Sequence, residues 1–337
     1  MLKKRQLIQP VDWSLFVEQF RLYIYLLGAY SKFLTVGKCL GFPFVVQIQT
    51  QSSCNGACLA CPYPILRGKL SQGAMEWDLF ARIADQLALG PLPFRVSLFL
   101  QNEPLLDRRI FDWVRYFKTR APNKICRVVT NGELLDRFSP SDIIGSRLDQ
   151  LTISLNAHYR ETYELVNTGL SYEKVMANVE SLLSNGELRR RVKLSFLVTQ
   201  QNQDEVHQAT RYWKSRGVKV QVKQVTNRAG ALEGFESIRP GSPCSAGSVV
   251  SRLLESLMSR ARRVAGCTLP FCQMNILFNG DCIVCCHDWK RASVVGNATT
   301  TALREIWNNE RMNEIRRLVR RKEYEGIDPC KECSVAR

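Results

Sequence analysis

No apolar run in this chain is long and clean enough to cross a bilayer. The nearest, LFVEQFRLYIYLLGAYSKFL close to the start, is broken by Glu18, Arg21 and Lys32. No small-residue cleavage site follows it, so it is not read as a secretory signal. It is expected to be a helix capping the core, with a helix lying in a membrane interface as the alternative. Internal repeats and low-complexity tracts are also absent, which excludes a repeat architecture. The aromatic-rich signature of an RNA-recognition sheet is missing, so nucleic acid is not an expected partner. Histidine is scarce, and His158 and His207 stand outside any cluster. Acidic residues are outnumbered: 31 Asp and Glu against 47 Lys and Arg leave a net charge of +16. The excess gathers in LRRRVK, SRARR and RRLVRRK, read mainly as solvated helix faces. Attraction for an anionic substrate is the second reading of that charge.

What the chain has is cysteine: 13 in 337 residues. An odd count in a chain of this length argues against a disulfide framework. Clustered thiols point to metal in a reducing compartment, so a cytoplasmic location is expected. Hydrophobic residues make up 45% and charged residues 23%, ordinary for a globular chain of one large or two smaller domains. Short β-rich runs alternate with helical patterns: FVVQIQT, RVSLFL, ICRVVT, LTISLNA, VKLSFLVT and VKVQVKQVT, with helices such as MEWDLFARIADQLAL between them. This is an α/β pattern with a parallel sheet. Six units give an incomplete barrel or an open doubly wound sheet. After about residue 227 the rhythm stops in a Gly-, Ser- and Pro-rich stretch.

Cys54, Cys58 and Cys61 follow the first strand directly. Three thiolates can hold an iron–sulfur cube and leave one iron open for a ligand. Active sites of α/β sheets lie at the C-terminal ends of strands, where this loop sits. The spacing Cys-x3-Cys-x2-Cys resembles the motif of the radical S-adenosylmethionine (SAM) superfamily. RVSLFLQNEPLLD is similar to the family's second motif, with Gln101 and Asn102 standing where glycines are usual and Glu103-Pro104 kept. VVTNG, LTISLNA and VTQQN match later strand ends. The resemblance implies a partial (β/α)6 TIM-like barrel with a small C-terminal hairpin-plus-helix iron–sulfur module. It implies SAM bound through Glu103, Asn102, Asn131, Ser154, Asn156 and Thr199. Ala60 stands where an aromatic is common before the last cysteine, so adenine stacking there is lost or moves to Tyr63. It also implies that an electron from a flavodoxin- or ferredoxin-type donor cleaves SAM to a 5′-deoxyadenosyl radical, which takes hydrogen from a C–H bond.

In the tail, Cys267, Gly280, Cys285, Cys330 and Cys333 form C-x12-G-x4-C…C-x2-C. This resembles the SPASM or twitch extension of the superfamily. The resemblance implies one auxiliary 4Fe–4S cluster on Cys267, Cys285, Cys330 and Cys333, for two clusters in all. Zinc on the same thiols, or a swap with Cys272, Cys282 or Cys286, is left open. Gly280 fits the turn of a hairpin between MNILF and CIVCC. The expected division is a helical cap 1–43, a core 44–227, a bridging segment 228–266 and the cluster module 267–337. Cys39, Cys126 and Cys244 are read as buried apolar residues. Cys282 or Cys286 is a candidate hydrogen donor, and His287 with Asp288 a candidate base and partner.

The leading expectation is oxidation or epimerisation of a polar small molecule: a sugar, aminocyclitol, aminoglycoside or nucleotide sugar. The positive charge favours an anionic or nucleotide-linked one. Maturation of a peptide or protein residue is the alternative, weakened by the short stretch before the first strand. RNA modification rests on charge alone. A non-catalytic scaffold is opposed by Glu103 and the open-iron motif.

Overall fold

The computed structural model describes residues 13–39, 41–241 and 266–335. Much of the expected bridging segment, with Cys244, lies outside these residues. Six strands carry the core: β1 Val45–Ile48, β2 Arg95–Ser97, β3 Ile125–Thr130, β4 Gln150–Ser154, β5 Val192–Val198 and β6 Lys219–Gln224. They pair in parallel, in the order β6-β5-β4-β3-β2-β1. β6 stands at one edge of the sheet, so the barrel is open. This is the partial (β/α)6 barrel that the resemblance implies.

The tail extends the same sheet. β7 Gln273–Ile276 pairs in parallel with β1, and β8 Asp281–Ile283 and β9 Val294–Asn297 follow antiparallel. The C-terminal hairpin is therefore continuous with the barrel sheet. Gly280 turns the chain between β7 and β8 at φ +87°, where a Cβ would lie 2.9 Å from Asn297 Oδ1. Only glycine fits there without strain.

Each strand turns an apolar face to the helices and a polar face inward. In β5, Val192, Leu194, Phe196 and Val198 are buried in the apolar core, while Lys193 and Ser195 alternate with them. The register aligns Gln47, Ser97 and Arg127 across β1, β2 and β3, and Ser154 with Ser195 and Gln221 across β4 to β6. The lumen is thus lined with polar side chains. Outside, helix Trp77–Ala88 buries Leu79, Phe80, Ile83, Ala84 and Leu87 against the sheet. Each of the Leu, Ile and Phe side chains among them contributes about 1.5–3 kcal/mol on burial.

Helix Trp13–Val36 closes the bottom of the barrel. Tyr25, Leu26, Ala29 and Phe33 are buried, and Tyr25 donates to the Phe42 carbonyl just before β1. Glu18 pairs with Arg95 at the start of β2. The Tyr30 ring packs, tilted by 38°, 4.4 Å from Phe271, tying this helix to the tail. Phe20, Ile24, Leu27 and Leu34 stay exposed on its other side. Among the described residues no helix is long and apolar enough to cross a membrane.

Candidate functional site

The cysteine loop leaves β1 at its C-terminal end and is held by its own polar residues. Gln51 donates to the carbonyls of Ser53 and Glu103 and accepts from the Ser53 amide. The Glu103 amide donates back to the Ser53 carbonyl at 3.0 Å. Ala57 and Leu59 donate to the Thr168 and Val166 carbonyls, which pins the middle of the loop. Cys54, Cys58 and Cys61 are left half-buried. Burial pushes the Cys54 thiol up to about 12, with Glu103 and Cys61 adding to the effect. Cys58 and Cys61 are raised for the same first reason. Thiols held this way ionise on binding a metal centre, which releases their protons.

Glu103 is buried at the end of the second motif. Its carboxylate accepts from Thr130 Oγ1 at 2.6 Å, the Asn131 amide at 2.8 Å and the Leu105 amide at 2.9 Å. Desolvation outweighs these donors and raises its pKa to about 7. Gln101 takes a left-handed backbone, φ 55°, where a glycine would be unstrained. Its side chain offsets the cost by donating to the Cys286 and Asp288 carbonyls, at 3.3 and 3.0 Å. The replaced glycine has become a strut to the C-terminal module.

These elements surround a cavity of about 450 Å³ in the upper barrel. Cys54, Cys58, Cys61 and Tyr63 line it on one side, and Asn102, Glu103 and Asn131 on the next. Ser154, Asn156 and Thr199 line the third, and Cys286 and His287 descend from the tail. All ten SAM-site expectations thus meet in one space. Their side chains differ in freedom. Asn156 is spent on Leu197 and Asn167, and Asn131 on Asn55 and Glu133. Gln101 Oε1, Asn102 Nδ2 and Thr199 Oγ1 are buried without a partner. Buried polar atoms of that kind call for a ligand or water. The cavity therefore fits a polar cofactor beside the three thiols.

Two expectations fall elsewhere. Cys282 is fully buried in the tail, its thiol facing the Gly280 carbonyl at 3.7 Å. Asp288 is fully buried and accepts from the Ala292 and Ser293 amides, both at 2.9 Å. It closes a turn and does not partner His287. The Nδ1 of His287 faces Thr226 Oγ1 at 3.5 Å instead. Burial, helped by Arg228, lowers His287 to about 4 and keeps the imidazole neutral. Arg127, Lys223, Arg228 and Trp289 also line the cavity and were not singled out from sequence. Trp289 packs with Tyr63 against Cys54 and Cys61.

The tail cysteines form a second neighbourhood. Cys267, Cys285, Cys330 and Cys333 are all buried. Burial raises Cys285, and the charges of Cys286, Cys267 and Cys330 add to it. Cys330 feels Cys267 and Cys333 in the same way. Cys333 is anchored through Ser334, whose amide donates to Asn227 Oδ1 at 2.9 Å while its hydroxyl accepts from the Asn227 amide at 3.1 Å. This joins the tail to the loop after β6. Among the described residues, no three metal-binding side chains converge as a single ion requires. A cluster of irons and sulfides spreads its thiolates further apart and makes no such demand.

Residues 48–223 match the radical SAM superfamily, and residues 267–334 match the SPASM iron–sulfur cluster-binding domain. One similar protein is the S-adenosyl-L-methionine-dependent 2-deoxy-scyllo-inosamine dehydrogenase of Niallia circulans. It is 21% identical over 86% of this chain and 92% of its own. A crystal structure of BtrN in complex with AdoMet and 2-DOIA is similar at TM-score 0.56 and 16% identity, over 87% of this chain and 93% of that one. Streptococcus suis SuiB bound to S-adenosylmethionine reaches TM-score 0.66 at 14% identity, over 91% and 74%. At such identities the two structures attest the fold. With the superfamily match covering more than half of the chain, and a matched C-terminal iron–sulfur domain continuing the barrel sheet, this chain belongs to the radical SAM superfamily and is a SPASM-domain member of it.

Proposed function

We propose that this radical SAM enzyme oxidises a secondary hydroxyl of a small polar molecule to a ketone. The observation that carries the reading is the run Cys285-Cys286-His287. It joins a thiolate of the auxiliary site to two side chains on the wall of the SAM cavity. The Niallia circulans relative, named a dehydrogenase, supports the same chemistry across 86% of the chain. Bound at the two cysteine sites, SAM and the clusters supply hydrogen-atom abstraction at carbon and an acceptor for the electron left behind. A flavodoxin- or ferredoxin-type protein is the proposed electron source. The chain's own residues do the rest. Glu103 holds the SAM ammonium group as a carboxylate. Thr199 and Asn102 offer unpaired polar atoms to the cofactor. His287 accepts the hydroxyl proton on the ring nitrogen that does not face Thr226. The hydroxyl thus loses its proton, the carbon its hydrogen atom and the substrate one electron, which balances the oxidation.

Epimerisation is the second reading, favoured by Cys286 on the cavity wall, where a thiol can return a hydrogen atom. An anaerobic assay in deuterated water separates the two. The expected product is a ketone with no solvent deuterium at the reacting carbon, still formed by Cys286→Ala. Deuterium retained at that carbon, and lost with Cys286→Ala, would replace oxidation by epimerisation.

Glu103 also sets a pH dependence. Its pKa of about 7 means that it carries a proton below that pH and must lose it to meet an ammonium group. SAM affinity of the reconstituted protein is expected to weaken by about tenfold per pH unit below that point and to level off above it. Calorimetry at two pH values checks this. Equal affinity at both would remove Glu103 from the ammonium contact.

A further inference from the structure

We propose that the substrate carries a phosphate group, held in the cavity by Arg127 of β3 and Lys223 of β6 with Arg228 of the following loop. This rests on the reading that the cavity processes a small molecule. The three cations line the same space as Glu103 and Cys286. None of them forms a salt bridge with any described residue. The Nε atoms of Arg127 and Arg228 are buried and unpartnered. Glu103 is the one acidic side chain on the described cavity wall, and Thr130, Asn131 and Leu105 already engage it.

The surroundings reinforce the positive field. Lys223 lines the cavity near the C-terminal end of β6 and is exposed there. Burial and the charges of Arg127, Lys193, Arg95 and Arg228 push its amine down to about 7. Arg95 is already paired with Glu18 at the floor, so it steadies the base of the lumen and leaves Arg127 unneutralised above it. Arg228 lines the cavity together with Cys61 of the cluster loop and Cys286 of the opposite wall. Two guanidinium forks and an ammonium match the several oxygens of a phosphate. One carboxylate would leave most of the charge uncompensated, and an ammonium-bearing substrate would be repelled. Arg228 is held in place from outside: it sits at φ 50°, beside Asn227, which is bonded to Ser334 and to the Glu332 carbonyl. The anion site is thereby tied to the folded tail.

The test uses the reconstituted holoenzyme with SAM bound and radiolabelled inorganic phosphate as the probe, read by equilibrium dialysis. One phosphate per chain is expected, displaced by sugar phosphates or nucleotide sugars and not by acetate or a neutral sugar. Lys223→Gln and Arg127→Gln are each expected to weaken phosphate by about tenfold while SAM affinity and iron content stay unchanged. Absence of phosphate binding in the wild type, or binding in both variants as tight as in the wild type, would overturn the site. Displacement by acetate as readily as by sugar phosphate would overturn the preference for phosphate. The readout is independent of turnover. Phosphate binding without ketone formation from any phosphorylated polyol would remove the oxidation and keep the site. Ketone formation from a neutral polyol without phosphate binding would do the reverse.

Discussion

Cys58→Ala is expected to abolish reductive cleavage of SAM and to lower the iron content from about eight to about four per chain. The reason lies in the ligand count. Cys54, Cys58 and Cys61 are the thiols available at the end of β1, and the loop between them is pinned by Gln51, Ala57 and Leu59. Among the described residues no neighbouring cysteine is free to stand in, because Cys286 on the facing wall belongs to the tail, where its carbonyl accepts from Gln101. Loss of one ligand therefore costs the whole cluster, while the four tail thiols keep theirs. Iron and sulfide analysis after anaerobic reconstitution, with a 5′-deoxyadenosine assay, reads both halves. Formation of 5′-deoxyadenosine by the variant would refute the assignment. A Cys54/Cys58/Cys61 triple-alanine variant adds a second decision. A fall from about four irons to none, with zinc retained, would make the tail a structural zinc site and remove its electron role.

Gly266→Ala is expected to remove the auxiliary cluster while leaving the first one. Gly266 precedes Cys267, a proposed ligand of the auxiliary cluster, and has φ +76°. A Cβ there would stand 2.2 Å from the Val319 carbonyl oxygen and 3.1 Å from Tyr324 Oη. Val319 belongs to helix Glu310–Arg321, so the obstacle is backbone that cannot swing aside. The left-handed conformation and the overlap together cost about 2–4 kcal/mol, and the relief available is to move Cys267. Expected readouts are a fall from about eight to about four irons, a lower Tm and loss of substrate turnover, with uncoupled SAM cleavage partly spared. Gly145→Ala is the control, since a Cβ at Gly145 would meet nothing within 4 Å. Full iron and an unchanged Tm in Gly266→Ala would show that the clash is absorbed and that Cys267 tolerates displacement.

Local features were legible in the sequence. Five of the six core strands lie within their β-rich runs, β4 starts one residue before its own at Gln150, and the expected helix MEWDLFARIADQLAL contains Trp77–Ala88. Both follow from periodicity, which neighbours in sequence create by themselves. The cysteine spacings were legible too, because loop ligands of one cluster lie close along the chain. The positive φ of Gln101 and of Asn156 gave no periodic signal. Gln101 in particular read only as a lost glycine. Its role as a strut depends on the Cys286 and Asp288 carbonyls, more than 180 residues away.

The cationic lumen shows the limit most clearly. Lys219, Gln221 and Lys223 alternate with Val220 and Val222 along β6. Alternation says that the two faces of a strand differ, and an ordinary reading turns the polar one to solvent. In a barrel with helices outside, that polar face turns inward, and Lys223 joins Arg127 on the cavity wall. By itself, the sequence determined the barrel units, the three-thiol loop and the four tail cysteines, because short-range spacing encodes them. Only the tertiary structure decided that β7 joins β1, that Trp289 and His287 reach the first site, and that the surplus charge includes a cluster inside the barrel. Those outcomes depend on which distant strands share an edge, and no local period carries that information.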